Sequence, residues 1–189
     1  MRCLSCRRFS LSAVCATCRE LYLTPVPKTR KLPNGLDVVS FYAYEAIEPF
    51  LLTKHLPHGW RVYRILADRA FRVLRMRERD CRAVPVDDAI SWGYSHTALL
   101  VKGLQKRGYR PLFNVLRAAN PVAYAGKSLA FRLAHPRNFR YTGPGGLEAV
   151  LVDDIVTTGL TLREARTTLQ NAGVRVVGAI VLADADREG

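Results

Sequence analysis

Apolar and polar positions along the chain fall into strand-like and helix-like segments that alternate. Residues 36–44 (LDVVSFYAY) are rich in β-branched and aromatic types and predict a strand. Residues 46–56 predict a short helix and 59–79 a longer one, in which Val62, Leu66, Ala70 and Val73 recur at helical spacing. A short buried strand is expected at 82–86, a helix at 94–106 stopped by Gly108, and another strand at 111–116. Residues 120–136 hold helix formers but also Pro121, Gly126 and Pro136, so a partly mobile loop with a short helix is expected. The turn Gly143-Pro144-Gly145-Gly146 leads to a strand at 149–152, a helix at 161–172 and a last strand at 174–182. Strands alternating with helices predict an α/β fold: a mainly parallel sheet with helices on both faces.

The first 35 residues break this pattern. Pro25, Pro27, Pro33 and Asn34-Gly35 read as a linker, or a loop returning to a new domain, which divides the chain into residues 1–35 and 36–189. Before it stand two pairs of thiols at matched spacing, Cys3-x-x-Cys6 and Cys15-x-x-Cys18. That spacing brings two side chains to one metal from a tight turn, and four thiolates close a tetrahedral, structural zinc site. So short a segment cannot build a core, so metal binding would supply its folding free energy. Disulfides or redox thiols are the competing reading. They are disfavoured because the N-terminus lacks an apolar run of the export-signal kind, and no stretch approaches the roughly 20 apolar residues of a membrane span. A cytoplasmic location is expected. Cys81 stands apart and reads as a small buried residue.

Charge adds a second theme. The 189 residues carry a net charge of +13, and residues 89–147 contain no Asp or Glu. Arg117, Lys127, Arg132, Arg137 and Arg140 lie in that tract, interleaved with Tyr124, Phe131, Phe139 and Tyr141. Arg7 and Arg8 lie in an acid-free N-terminal stretch. Cations on backbone phosphates and rings on bases suit single-stranded nucleic acid. The plainer readings are a solvated basic face and aromatics that belong to the core.

Residues 150–161, VLVDDIVTTGLT, carry the candidate chemistry. An apolar run suited to a buried parallel strand ends in Asp153 and Asp154, followed by small and hydroxyl residues and then a helix. Ligands of open α/β sheets bind beyond the C-terminal ends of strands. Val156, Thr157, Thr158, Gly159, Leu160 and Thr161 would form a loop into a helix N-terminus whose free N–H groups suit a phosphate. Thr161 with Glu164 has the pattern of a capping box. Carboxylates repel phosphate, so the acids should face hydroxyls or a cation, and a sugar phosphate meets both demands.

Position by position this segment resembles the phosphoribosyl pyrophosphate signature of the type I phosphoribosyltransferases. The resemblance implies that Asp153 and Asp154 hold the ribose 2′ and 3′ hydroxyls and that the Val156–Thr161 loop wraps the 5′-phosphate. It also implies magnesium on the diphosphate. The cysteine pairs, Val84-Pro85-Val86, residues 94–100 (YSHTALL), and the stretch from Leu116-Arg117-Ala118-Ala119-Asn120 to Asn138-Phe139 widen the likeness. Together with the signature they resemble the ComF family of natural-competence proteins, ComFC type. That resemblance implies a role in bringing single-stranded DNA into the cytoplasm, with a helicase-like translocation partner, including at the inner face of the inner membrane. The loop that would cradle pyrophosphate reads Val86-Asp87-Asp88 here, and its two carboxylates would need magnesium between them and the ligand. Lys127 and Arg132 are candidates to cover the leaving group. His96 reads as structural, with a catalytic base as the lesser alternative. Three functions stay open: a competence protein that handles DNA, an active phosphoribosyltransferase acting on an unknown base, and a domain that keeps the ligand as regulator without catalysis.

Overall fold

In the computed structural model the described residues are 1–77, 80–87, 90, 92–120 and 128–185, without the side chains of Leu129, Arg132 and Leu133. Nine strands are seen among them: β1 Lys28–Lys31, β2 Asp37–Ser40, β3 Tyr42–Ala43, β4 Arg82–Pro85, β5 Arg110–Pro111, β6 Leu116–Ala118, β7 Phe139–Tyr141, β8 Glu148–Val156 and β9 Arg175–Asp184. The helices are α1 Ala16–Tyr22, α2 Tyr44–Leu51, α3 Gly59–Phe71, α4 His96–Leu104, α5 Leu129–Ala134 and α6 Leu160–Asn171, with 3₁₀ turns at Leu52–His55 and Gln105–Arg107.

The main sheet runs β1-β2-β9-β8-β4-β5, with β3 continuing β2 along the same side of β9. All its pairings are parallel except β1 with β2. β8 is central, and its Ala149–Val152 run is buried because helices or loops cover both faces of the sheet. One face carries Phe41, Ile47, Tyr63, Leu66, Phe71, Leu100, Val150 and Val152. The other packs Leu32, Val84, Leu116, Leu151, Leu162 and Leu169. The predicted α/β sheet is therefore present.

Differences from expectation are local. The helix expected over 59–79 stops at Phe71, and Arg72 to Leu74 turn away. The strand expected at 111–116 is two short strands: β5 at the sheet edge, and β6, which pairs antiparallel with β7 as a separate ribbon. The loop expected at 120–136 contains α5, while residues 121–127 lie outside those described.

Residues 28–31, in the stretch expected to link or return, form an edge strand. Pro33-Asn34-Gly35 turns it onto β2, with Gly35 at φ 77° and Leu32 N–H donating to the Leu36 carbonyl at 2.9 Å. The thiol module packs on the same side of the sheet as α3, since Cys3, Val14, Cys18 and Leu23 share the cluster of Phe41 and Phe71. Arg69 on α3 fastens it. Its guanidinium donates to both Glu20 carboxylate oxygens (2.7 and 3.0 Å) and to the carbonyls of Arg19 and Leu23 (both 3.2 Å).

Candidate functional site

The strand that carries the acids is longer than expected. β8 runs to Val156, so Asp153 and Asp154 sit within the strand and the loop begins at Thr157. Alternation puts Asp154 with Val150 and Val152 on the face covered by α3 and α4. There it is only 4% exposed. One carboxylate oxygen, Oδ2, gathers three partners. Lys54 Nζ lies at 2.7 Å, the Tyr63 hydroxyl donates at 2.9 Å, and His96 Nε2 stands at 3.7 Å.

These contacts divide the two acids. Burial works against a charge on Asp154, but the Lys54 ammonium, then His96, and the hydrogen bonds from Lys54 and Tyr63 outweigh it and hold the carboxyl well below the usual range. Among the described residues no cation stands so close to Asp153. Burial first, then the charge of Asp154, pushes it well above the usual carboxylate range, although it accepts the Asp154 N–H at 2.8 Å. Burial would lower Lys54, yet Asp154 raises it and the ammonium is kept. His96 is lowered chiefly by burial, against the opposing pull of the Asp154 charge. It sits edge-on to Tyr63 in the first turn of α4, which Ser95 caps by accepting the Ala98 N–H. His96, Asp153 and Asp154 offer ligand atoms within 4.8 Å of one another, but the ammonium of Lys54 already supplies a positive charge there.

Beyond Val156 the chain bends through Thr157, Thr158 and Gly159 into α6, leaving a concave pocket lined by Ile155 to Leu162. Gly159 is the residue before the helix and has φ 75°, a left-handed conformation that suits glycine. A Cβ there would also lie 2.5 Å from Leu32. The first N–H groups of α6 have no carbonyl partners within the helix and open toward this bend. Thr161 falls inside the first turn and does not cap it. Glu164 does not complete a capping box: its carboxylate accepts the N–H groups of Arg137 (3.1 Å) and Asn138 (2.5 Å), tying α6 to the approach to β7. The edge hairpin backs the loop. Arg30 forks onto Asp184 (2.6 and 3.1 Å) and donates to the Thr157 carbonyl at 2.5 Å, and Arg166 reaches the Asn34 carbonyl at 2.7 Å.

Of the residues expected to cradle pyrophosphate, Val86 and Asp87 are described. Val86 is buried and donates its N–H to the Val152 carbonyl, which sets Asp87 next to the end of β8. Asp87 has φ 51° and its carboxylate accepts from Arg137 Nη1 (2.6 Å) and the Ala118 N–H (3.2 Å). Asp88 and Lys127 lie outside the described residues, as does the side chain of Arg132. Among the cations expected at nucleic acid, Arg137 is engaged with Asp87. Arg7, Arg8, Arg117 and Arg140 are exposed, Arg117 reaching Asn114 at 2.9 Å. Phe139 is buried, and Tyr141 is half-buried with its hydroxyl on the Pro144 carbonyl, so these two rings serve the core.

Two residues at the acids, Lys54 and Tyr63, had no signal in the spacing, since they stand 100 and 91 positions from Asp154. A tyrosine among the apolar residues of α3 was the one available clue, because a buried phenol seeks a partner.

The thiols of Cys3, Cys6, Cys15 and Cys18 lie within 4.8 Å of one another, with Cys6 and Cys15 Sγ 3.7 Å apart. Tetrahedral zinc with Zn–S near 2.3 Å needs S···S separations of about 3.8 Å, so the set fits zinc. Burial opposes ionisation of Cys3, but the N–H groups of Cys15, Cys6 and Ser5 bring it down to about 6. Ser5 favours the Cys18 thiolate, yet burial and the three neighbouring thiols push it up to about 11, a crowding of charge that a divalent cation relieves.

A family model described as "Phosphoribosyl transferase domain" matches residues 140–189. The orotate phosphoribosyltransferases of Brucella ovis and Brucella abortus are each 42% identical over 45 residues, which is 24% of this chain and 23% of each relative. The chain thus spans about a quarter of the length of the curated relatives it matches. Among solved structures, orotate phosphoribosyltransferase from Aeropyrum pernix aligns over 89% of this chain and 80% of its own, at 15% identity and TM-score 0.42. Adenine phosphoribosyltransferase from Saccharomyces cerevisiae aligns over 88% and 86%, at 13% and 0.39. The segment bearing β8, the bend, α6 and β9 is phosphoribosyltransferase-like, with distant similarity to the orotate enzymes. No helix among the described residues is long and apolar enough to cross a membrane.

Proposed function

We infer that this chain binds phosphoribosyl pyrophosphate with magnesium. The 5′-phosphate would lie in the Val156–Thr161 bend and the ribose hydroxyls toward Asp153 and Asp154, with Asp153 the more available of the two. The observation that carries the reading is the concave bend between β8 and α6. It presents hydroxyls, a left-handed glycine and helix N–H groups directly after two carboxylates. The family match of the same segment supports it. Magnesium, when bound with the ligand, would screen the diphosphate; Asp87 and Asp88 are the acids of this chain nearest in sequence to that role. The thiol module would hold structural zinc.

The wider role that we propose is that of a competence protein passing single-stranded DNA into the cytoplasm with a helicase-like partner. The family resemblance and the exposed cations Arg7, Arg8, Arg117 and Arg140 support it. Transfer of the phosphoribosyl group to a base is the second reading. It would use Lys127 and Arg132 to cover the leaving group. The engagement of Asp87 with Arg137 and Ala118 favours ligand retention over turnover, because the pyrophosphate loop is tied down by its own side chain.

Titration calorimetry with magnesium and phosphoribosyl pyrophosphate, repeated with single-stranded DNA, tests both parts. Saturable heat from the sugar phosphate that is lost in Asp153→Asn/Asp154→Asn supports the pocket, and no heat at all rejects it. DNA affinity should fall steeply with salt; a flat salt response removes the electrostatic account. Pyrophosphate release that depends on one particular base would select the transferase reading instead.

A further inference from the structure

The hairpin of β1 and β2 backs the bend and the helix that follows it at three places. Arg30 donates to the Thr157 carbonyl, Leu32 fills the space against Gly159, and the Asn34 carbonyl accepts from Arg166 of α6. Among the described residues the lining of the pocket comes from Ile155 to Leu162, not from this hairpin. The hairpin therefore acts on the loop from outside the ligand seat.

The Arg30 contact has a directional consequence. The Thr157–Thr158 peptide is trans, so the Thr157 carbonyl and the Thr158 N–H point in opposite directions within one rigid plane. Fixing the carbonyl on Arg30 turns the Thr158 N–H away from the hairpin. Without that bond, a flip of this peptide would put a carbonyl oxygen where a phosphate oxygen must approach. Arg30 is itself held in place, because its guanidinium forks onto both oxygens of Asp184 at the end of β9. Asp184 also balances its charge, so the contribution of Arg30 is orientation more than attraction.

We propose that Arg30 is a positioning residue for the 5′-phosphate: it locks the Thr157–Thr158 peptide so that N–H, not C=O, faces the ligand. This rests on the reading of the bend as a phosphate seat. It assigns a ligand-binding task to an edge strand that contributes nothing to the pocket wall.

Phosphorus NMR with phosphoribosyl pyrophosphate and magnesium separates the two ideas, because the 5′-phosphorus and the pyrophosphate phosphorus atoms resonate apart. Wild type should shift the 5′-phosphorus signal on binding. Arg30→Met should bind on the order of tenfold more weakly. At saturation its 5′ signal should move back toward the free position while the pyrophosphate signals stay at their bound positions. Lys31→Ala, which breaks the exposed Lys31–Asp37 pair of the same hairpin without touching the bend, should leave the bound 5′ signal where wild type has it. Should Arg30→Met not fold, Arg30→Lys serves, with a partial displacement expected because a compact ammonium cannot span Asp184 and Thr157 as the fork does. A wild-type signal and affinity in the Arg30 variant, or an equal displacement in Lys31→Ala, overturns the proposal. No 5′ shift in wild type sinks the phosphate seat itself, and the role of Arg30 with it.

Discussion

The two adjacent carboxylates are chemically identical in sequence and opposite in the fold. Asp154 is committed to Lys54 and Tyr63, so its charge stabilises the native state above the unfolded value near 4 and that stability is lost as pH falls through its depressed pKa. Asp153 has the reverse sign: its raised pKa gives stability that is present at low pH and lost as pH rises from about 4 through the raised value. Asp153→Asn keeps an oxygen to accept the Asp154 N–H and removes only the charge. It should therefore be more stable than wild type at pH 7, with the difference closing toward pH 4, while binding the sugar phosphate more weakly. Urea midpoints across that range check it, and a variant less stable at pH 7 would contradict the assignment. Lys54→Met leaves Asp154 buried without its cation. A loss of about 3 kcal/mol is expected at pH 7, toward the low end for a broken buried pair because Lys54 keeps about a fifth of its side chain exposed.

At the scale of elements, the bend between β8 and α6 depends on what stands behind it. Gly159→Ala meets both a left-handed φ of 75° and Leu32 at 2.5 Å. A loss of about 1–2 kcal/mol is expected, with weaker phosphate binding, because the leucine tip can yield but the backbone cannot. Glu164→Ala removes the acceptor of two N–H groups and should cost about 1–2 kcal/mol. Faster hydrogen exchange at Asn138 with unchanged exchange in the middle of α6 would identify that cause. These elements also mark how far the sequence could be read. The β8 apolar run, the glycine and α6 were legible because local rules govern them: burial on both faces, left-handed backbone, helical periodicity. Thr161 and Glu164 fit a capping box by local spacing alone, while the true partners of Glu164, Arg137 and Asn138, approach through the fold. β1 was hidden by prolines and three basic residues, Lys28, Arg30 and Lys31, a composition that suits a linker and equally an exposed edge strand. The Lys54–Asp154–Tyr63 cluster left no trace in periodicity, since long-range pairing has none.

For the whole molecule, the decisive question is whether the thiol module and the sheet melt together. Division of the chain near residue 35 treats the module as an appendage, yet Cys3, Val14, Cys18 and Leu23 share a buried cluster with Phe41 and Phe71, and Arg69 binds the end of α1 from within α3. So short a module has little burial of its own, so with zinc on its thiols its order would depend on the metal. Removing the metal should expose the flank of α3, the helix that also carries Tyr63 against Asp154. A chelator should therefore lower the melting temperature of the entire chain by about 5–10 °C, given roughly 2–4 °C per kcal/mol for a chain of this size. Affinity for the sugar phosphate should weaken with it, although the thiols are not part of the pocket wall. Arg69→Met should reproduce the thermal loss with zinc still bound, because it cuts the linkage without touching a thiol. Scanning calorimetry with metal analysis distinguishes the cases. One cooperative transition that shifts on chelation indicates a single folding unit. A main transition unmoved by chelation, with a separate small one abolished, would mean that zinc serves the module alone and that Arg69 fastens two independent bodies.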